Sequence, residues 1–350
     1  MRFFVFSVFF ANFLFSGMTP LNSAAVDLDA PAWKHTGIGL FTQADGQCTT
    51  HVIQVESPDK FAIEAVLIIP EGCPETTNCI ALIESHPRAH LDLNTAKARA
   101  TQFKKPFIYL FPRGSRLLDD SYPTESIKRI AKNDDLLLKE NEAVLRELFL
   151  EIEREAFGDY GGKHIDDLGT LLEAAQFFIK GKFIVYGGSL GGYMAVQALL
   201  NPNTKGLFAA GVSVSGFYSL DTTKFTDKII GPLIPESYVT LNIREHASLP
   251  PAALKRRAHP VDVEWGIDVP LLVIHGEDDY TTLCCPQGAR SFAERHGCAY
   301  VEIPGATHEN ITDDPNFMPT LGAFLARVDA QQKEIEDKIR DDKGDKKSSK

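Results

Sequence analysis

The sequence is poor in cysteine, in basic residues and in long apolar segments, and each shortage excludes a class of protein. Six cysteines among 350 residues are too few for a small fold held together by disulfide bonds. No C-x-x-C pair occurs, which disfavours a redox or zinc site built on that motif. The formal net charge is −11, so bulk electrostatics do not favour binding to nucleic acid.

The N-terminal apolar run is also too short to span a membrane. It covers residues 3–15, which is 13 residues, whereas a transmembrane helix needs about 20. Arg2 precedes it, and small residues follow over 21–25. This order predicts a secretory signal peptide over residues 1–25, cleaved near Ala24 or Ala25, with an uncleaved membrane anchor as the alternative. We therefore expect an exported protein, periplasmic or secreted, with no stable membrane span after cleavage.

Export permits disulfide bonds, and the spacing of the cysteines limits which pairs can form. Cys73 and Cys79 flank a short turn-like stretch and are predicted to be the easiest pair to close. Cys298 is separated from Cys284 and Cys285 by a predicted helix over 287–295. Because a helix rises about 1.5 Å per residue, its ends lie beyond the ~7 Å Cα limit for a disulfide. We do not expect Cys298 to pair with either.

Short apolar runs alternate with segments of helical periodicity through most of the chain. The predicted strands cover 61–69, 80–83, 107–111, 183–186, 208–214, 271–274 and 300–303. Helical spacing is found over 145–156, 168–179, 287–295 and 321–328. This alternation predicts an α/β fold with a mostly parallel central sheet and helices on both faces. We expect one domain over 26–330, no internal repeat, and a polar, disordered tail over 331–350.

The most informative motif is a G-x-S-x-G pattern formed by Gly187, Ser189 and Gly191. It follows the predicted strand 183–186 and precedes a segment of small residues that predicts a helix. On such a turn the serine hydroxyl projects above the sheet, and side chains at the flanking positions would clash. The motif predicts Ser189 as the nucleophile of an α/β-hydrolase. The N–H of Leu190, at the helix start, is the predicted first oxyanion-hole donor.

The other members of a catalytic triad are expected after the serine. In α/β-hydrolases the order is serine, acid, histidine, with each residue at the end of a strand. The predicted strand 300–303 leads to His308, which is the candidate general base. Strand 271–274 leads to three carboxylates that compete for the acid role: Glu277, Asp278 and Asp279.

Three further histidines are assigned bystander roles. His275 directly follows a buried strand and is predicted to be a packed loop residue. His86 and His90 have no nearby set of carboxylate or cysteine ligands, so we expect a loop near the oxyanion hole rather than a metal pair. We expect neither a metal nor an organic cofactor.

At these motifs the chain resembles the catalytic domain of the prolyl oligopeptidase family of serine peptidases and, more loosely, dienelactone hydrolases. The resemblance extends over residues 55–328. Several family motifs occur in the family's order. They are Ile69-Pro70-Glu71-Gly72, Arg113-Gly114-Ser115, Gly158-Asp159-Tyr160-Gly161-Gly162 followed by Asp166-Asp167, the G-G-S-x-G-G elbow at 187–192, and an H-G-x-x-D loop at 275–279.

The resemblance implies two further site residues. The H-G-x-x-D loop carries the family's acid, which selects Asp279. Many members complete the oxyanion hole with a backbone N–H from an H-G-G-P stretch, where this chain has His86-Pro87-Arg88. Since Pro87 has no N–H, the N–H of Arg88 is the predicted second donor.

The chain also departs from the family in length. Only about 30 residues separate the predicted signal from the first strand pair, so the large β-propeller of many members is expected to be absent. Residues 122–157 exceed the usual spacing before the nucleophile strand. We interpret them as a helical insertion, either a lid over the site or an extra surface helix.

These observations favour a serine hydrolase that cleaves a small peptide or ester through an acyl-enzyme. The resemblance favours a prolyl oligopeptidase-like peptidase. The missing propeller favours the alternative, a carboxylesterase or dienelactone-hydrolase-like enzyme acting on small esters. A non-catalytic binding protein on a hydrolase scaffold is the third hypothesis, and a complete set of Ser189, Asp279 and His308 argues against it.

Overall fold

A computed structural model describes most of the predicted domain. The described residues are 34–37, 40–58, 62–83, 93–110, 163–218, 267–279 and 286–348. The predicted signal peptide (1–25), the predicted insertion (122–157) and the segment that carries His86, His90 and Arg88 lie outside them. No helix within the described ranges is long and apolar enough to cross a membrane.

In the described part of the chain, ten strands form a central sheet. Its strands are β1 (Lys34–Gly37), β2 (Leu40–Ala44), β3 (Cys48–Glu56), β4 (Ala62–Pro70), β5 (Cys79–Ile83), β6 (Phe107–Leu110), β7 (Phe183–Gly188), β8 (Phe208–Val214), β9 (Leu271–Gly276) and β10 (Ala299–Ile303). Their order across the sheet is β1-β2-β3-β4-β6-β5-β7-β8-β9-β10. The pairs from β1 to β4, and β4 with β6, are antiparallel. All pairs from β6 to β10 are parallel.

Helices cover both faces of this sheet, because its parallel strands are apolar on both sides. They are α1 (Leu93–Phe103), α2 (Lys163–Ala175), α3 (Leu190–Leu200), α4 (Pro286–His296) and α5 (Phe317–Ser348). One apolar cluster packs α2, α3 and α4 against one face, and a second packs α1 and α5 against the other. The strands β5 and β9 are buried along their whole length, as expected for strands covered on both faces. The structure confirms the predicted α/β-hydrolase architecture.

The C-terminal tail differs from its prediction. The structure continues α5 to Ser348, whereas residues 331–350 are predicted to be disordered. The start of α5 is anchored by buried Leu321, Phe324 and Val328, so the costly helix nucleus is already formed. Beyond it the segment has no proline and is rich in Lys, Glu, Gln and Arg, which are good helix formers. Lys338 also donates to Glu334 one turn away, at 2.7 Å, and such an i,i+4 pair stabilises a helix.

The predicted disulfide between Cys73 and Cys79 is also wrong, because both thiols are free. Cys79 lies in β5 and is fully buried in the core. Cys73 lies at the surface, with its Sγ 3.8 Å from the carbonyl oxygen of Lys104. Burial raises the pKa of the Cys79 thiol well above its ordinary value, so this thiol stays protonated and unreactive. Cys298 is also free; the prediction for it is only that it does not pair with Cys284 or Cys285, which lie outside the described residues.

Phe292 of α4 provides a test of the packing between helix and sheet. Its ring is fully buried and stacks on Tyr218 with a centroid distance of 4.8 Å. We expect Phe292→Ala to lower the free energy of unfolding by about 3–5 kcal/mol, through lost burial and the cavity left behind. Phe177 is 77% exposed, so the matched variant Phe177→Ala should change the free energy of unfolding by about 0.5 kcal/mol or less. Denaturant unfolding measures both, and equal losses would contradict this packing.

Candidate active site

The turn between β7 and α3 holds Ser189 in a strained backbone conformation. Its φ is 53° and its ψ is −120°, a left-handed region that non-glycine residues rarely adopt. Two hydrogen bonds fix this conformation. The Ser189 N–H donates to the carbonyl of Val214 at 2.8 Å, and the Ser189 carbonyl accepts from the N–H of Tyr193 at 3.2 Å. The serine is therefore fixed by β8 on one side and by the first turn of α3 on the other.

The glycines of the motif allow the close approach that this turn requires. A Cβ on Gly187 would lie 2.2 Å from the carbonyl oxygen of Gly191. A Cβ on Gly192 would lie 2.9 Å from Ser213 Oγ and 3.0 Å from the Cα of Gly216. A side chain at either position would force the backbone apart. Two glycines of the pattern, Gly187 and Gly192, are therefore required for steric reasons.

The three carboxylates after β9 have separate environments, and only one is buried. Glu277 and Asp278 are exposed, whereas Asp279 has no exposed surface. Glu277 accepts a hydrogen bond from the N–H of Gly305 at 3.1 Å. The Asp278 N–H donates to the carbonyl of Ala306 at 2.9 Å. These contacts join the carboxylate loop to the loop after β10, and Asp279 is directed inward.

His308 lies on that second loop, directly after the turn that follows β10. The turn needs Gly305 at a φ of +66°, and the N–H of Thr307 donates to Asn310 Oδ1 at 2.7 Å. The imidazole is only 5% exposed. His308 Nδ1 lies 2.8 Å from Asp279 Oδ2, and Nε2 lies 3.1 Å from Ser189 Oγ. The structure thus brings the three predicted residues together in one hydrogen-bonded chain.

The partners of His308 assign its tautomer. Asp279 is an acceptor when ionised, so Nδ1 carries the proton and donates it to the carboxylate. Nε2 then presents a lone pair and accepts the hydrogen bond from Ser189 Oγ–H. A base that accepts from a nucleophile, and is itself oriented by an acid, is the arrangement that nucleophilic catalysis by serine requires.

One predicted oxyanion donor lies among the described residues. Leu190 is the first residue of α3, and the N–H groups at a helix start have no partner within the helix. Its position directly after Ser189 suits an N–H that faces the reacting carbonyl. The second predicted donor, Arg88, lies outside the described residues. Within the described ranges no group of three or more side chains could hold a metal ion.

Sequence analysis missed the supports that β8 supplies to the nucleophile. The carbonyl of Val214 holds the Ser189 N–H, and Ser213 Oγ donates to the carbonyl of Gly192 at 3.1 Å. Ser215 also adopts a positive φ of 46°. A backbone carbonyl leaves no signal in the sequence, because any residue supplies one. The only available signal was the prediction of two parallel strands, β7 and β8, which could lie side by side and place a carbonyl next to Ser189.

Comparison with known proteins agrees with the predicted fold. The sequence model of the prolyl oligopeptidase family matches residues 152–295, which include Ser189 and Asp279 and end before His308. No curated protein shows significant similarity to the chain.

Solved structures with a similar fold include esterases and peptidases. A hyperthermophilic esterase from the archaeon Pyrobaculum calidifontis has 14% identity and a TM-score of 0.53, with 81% of this chain and 86% of the esterase covered. A prolyl endopeptidase has 13% identity and a TM-score of 0.52, with 81% of this chain but 39% of the endopeptidase covered. Porphyromonas gingivalis dipeptidyl peptidase 4 has 12% identity and a TM-score of 0.52, with 80% and 36% covered. At these identities the similarity shows a shared α/β-hydrolase fold. The chain spans less than half the length of the two peptidases.

Proposed function

We propose that this protein is a serine hydrolase that forms an acyl-enzyme on Ser189. The observation that carries the proposal is the continuous hydrogen-bonded chain from Ser189 through His308 to Asp279. It lies where a strained turn presents the serine at the end of β7, and the family match over 152–295 supports it. The roles of the three residues follow from their positions in that chain.

The proposed reaction has two acyl-transfer steps. Ser189 Oγ attacks the substrate carbonyl carbon while its proton passes to His308 Nε2, and Asp279 stabilises the imidazolium that forms. Nε2 then gives the proton to the leaving amine or alkoxide as its bond to the carbonyl breaks. Water repeats the sequence on the acyl-enzyme, with His308 as the base, and releases the carboxylic acid and free Ser189.

The negative charge on the carbonyl oxygen requires donors in both steps. We assign the first to the Leu190 N–H, at the start of α3, and the second to the N–H of Arg88. Removing one such donor typically slows the reaction by about 10²–10³. Both groups are backbone N–H groups, so side-chain substitutions at these positions leave the donors in place.

We propose a peptidase as the preferred activity, because the matched family is one of peptidases. A specific observation favours an esterase as the second candidate. The chain covers 86% of the Pyrobaculum calidifontis esterase but only 39% of the prolyl endopeptidase. Both activities use the same catalytic chemistry, and fold alone does not separate them.

An assay with two kinds of chromogenic substrate separates these activities. The purified protein is tested on short-chain p-nitrophenyl esters and on a panel of aminoacyl and dipeptidyl p-nitroanilides, next to Ser189→Ala. We expect anilide cleavage that the substitution abolishes. Cleavage of esters alone would establish the carboxylesterase instead. If no substrate is turned over and Ser189 does not react with a fluorophosphonate, the protein is a binding scaffold and the proposal is wrong.

A further inference from the structure

A second imidazole lies beside the proposed acid, and its environment is unusual for a packed residue. His275 is the next-to-last residue of β9, and its side chain has no exposed surface. Neither ring nitrogen has a hydrogen-bond partner among the described residues. A buried polar group without a partner costs about 1–3 kcal/mol. An apolar side chain of similar size would fill this space without that cost, so packing alone does not account for a histidine.

The position of the ring relates it to the acid. His275 Nε2 lies 3.6 Å from Asp279 Oδ2, the same oxygen that accepts the hydrogen bond from His308 Nδ1 at 2.8 Å. A distance of 3.6 Å is longer than a hydrogen bond. Catalytic hydrogen bonds are often long in the free enzyme and shorten as the reaction proceeds. A shift of about 0.6 Å would bring the pair to an ordinary N–H···O distance.

The groups around His275 determine its protonation. The pKa of His275 is lowered to about 4, mainly by burial; the nearby His308 acts in the same direction, while Asp279 and Glu302 oppose the shift. Glu302 is the residue paired with His275 across β9 and β10. The ring is therefore neutral at neutral pH and carries one N–H. A protonated His275 would compete with the imidazolium of His308 for the negative charge of Asp279, whereas a neutral His275 does not.

We infer that His275 is a positioning residue for the acid: its Nε2–H faces Asp279 Oδ2 and holds the carboxylate toward His308 Nδ1. This inference rests on the proposed function, because it gives His275 a role only through Asp279 and His308. The N–H also draws negative charge from Oδ2, so its removal leaves a more negative carboxylate next to His308. That change stabilises the imidazolium of His308 relative to its neutral form.

A pair of variants separates this role from packing. His275→Met removes both ring nitrogens and fills the pocket with an apolar chain. His275→Gln has nearly the same shape as methionine but keeps an N–H donor at the position of Nε2. His275→Met removes two buried ring nitrogens that lack partners and so avoids their cost. His275→Gln keeps the volume and one N–H donor, so both variants should fold. Thermal unfolding is measured first to establish this.

We expect His275→Met to lower kcat about tenfold and to leave KM unchanged, because the acid loses one of the contacts that orient it. The acid limb of the kcat/KM profile should move to higher pH. The His308 imidazole, titrated by NMR, should show the same shift. His275→Gln should restore most of kcat and the parent titration midpoint.

Two results would overturn the inference: an unchanged kcat and His308 midpoint in His275→Met, or equal losses in both variants with an unmoved midpoint. The NMR titration keeps this test separate from the proposed function. If the parent protein hydrolyses nothing, the proposed activity fails. The His308 midpoint still decides whether the N–H of His275 acts on the acid–base pair.

Discussion

Ser189→Ala is expected to lower kcat by at least about 10⁴-fold for any substrate that the protein hydrolyses, with little change in KM. The substitution removes the only atom in the proposed chain that forms a bond to the substrate. Residual catalysis by the oxyanion donors and by binding does not replace a nucleophile. Adding His308→Ala to Ser189→Ala should lower kcat almost no further, because the effects of residues that act as one unit are not additive. Steady-state kinetics on the preferred chromogenic substrate measures both effects.

The control for this experiment is Ser291→Ala. Ser291 lies on the exposed side of α4, so the same chemical change there should leave kcat within about twofold of the parent value. Both variants should unfold at the parent temperature, since the alanine Cβ occupies the position of the serine Cβ and the backbone hydrogen bonds of Ser189 remain. Retained turnover in Ser189→Ala would remove Ser189 from the mechanism and would require another nucleophile.

The parallel strands and the nucleophile turn could be predicted because each depends on a local pattern. The prediction for β8 has the observed bounds, 208–214, and those for β7 and β9 fall short of the observed ends by two residues. A continuous apolar run identifies a strand that is covered on both faces. The turn at Ser189 needs glycine at 187 and at 192, because a Cβ at either position would lie too close to neighbouring atoms. Local sequence therefore contains most of the information on these elements.

Other features depend on contacts between segments that are distant in the chain. The sequence pattern did not show which of Glu277, Asp278 and Asp279 is the acid. Their positions depend on how their loop packs against the loop of His308. The strand order places β6 between β4 and β5, and no local pattern specifies that order. The role inferred for His275 escaped prediction because a histidine after a buried strand looks the same whether it packs or faces a charge.

Asp279→Asn is the second large effect that we expect, a loss of about 10⁴-fold in kcat with the fold retained. Asparagine matches aspartate in shape, but its amide can place an N–H₂ group toward His308 Nδ1. The imidazole would then carry its proton on Nε2, and a protonated Nε2 cannot accept the Ser189 proton. The substitution also removes the charge that stabilises the imidazolium. KM should change little, because Asp279 is buried behind His308.

Asp278→Asn is the matched control, since it makes the same chemical change one residue earlier in the same loop. Asp278 is exposed and contacts the His308 loop through its backbone N–H, which asparagine keeps. Its kcat should stay within about twofold of the parent value. Glu277→Gln should also remain active, because the glutamine amide oxygen can still accept from the N–H of Gly305. A larger loss in Asp278→Asn than in Asp279→Asn would show that Asp279 is not the acid. The proposed charge distribution requires the buried carboxylate, because only a charge shielded from water stabilises the imidazolium strongly.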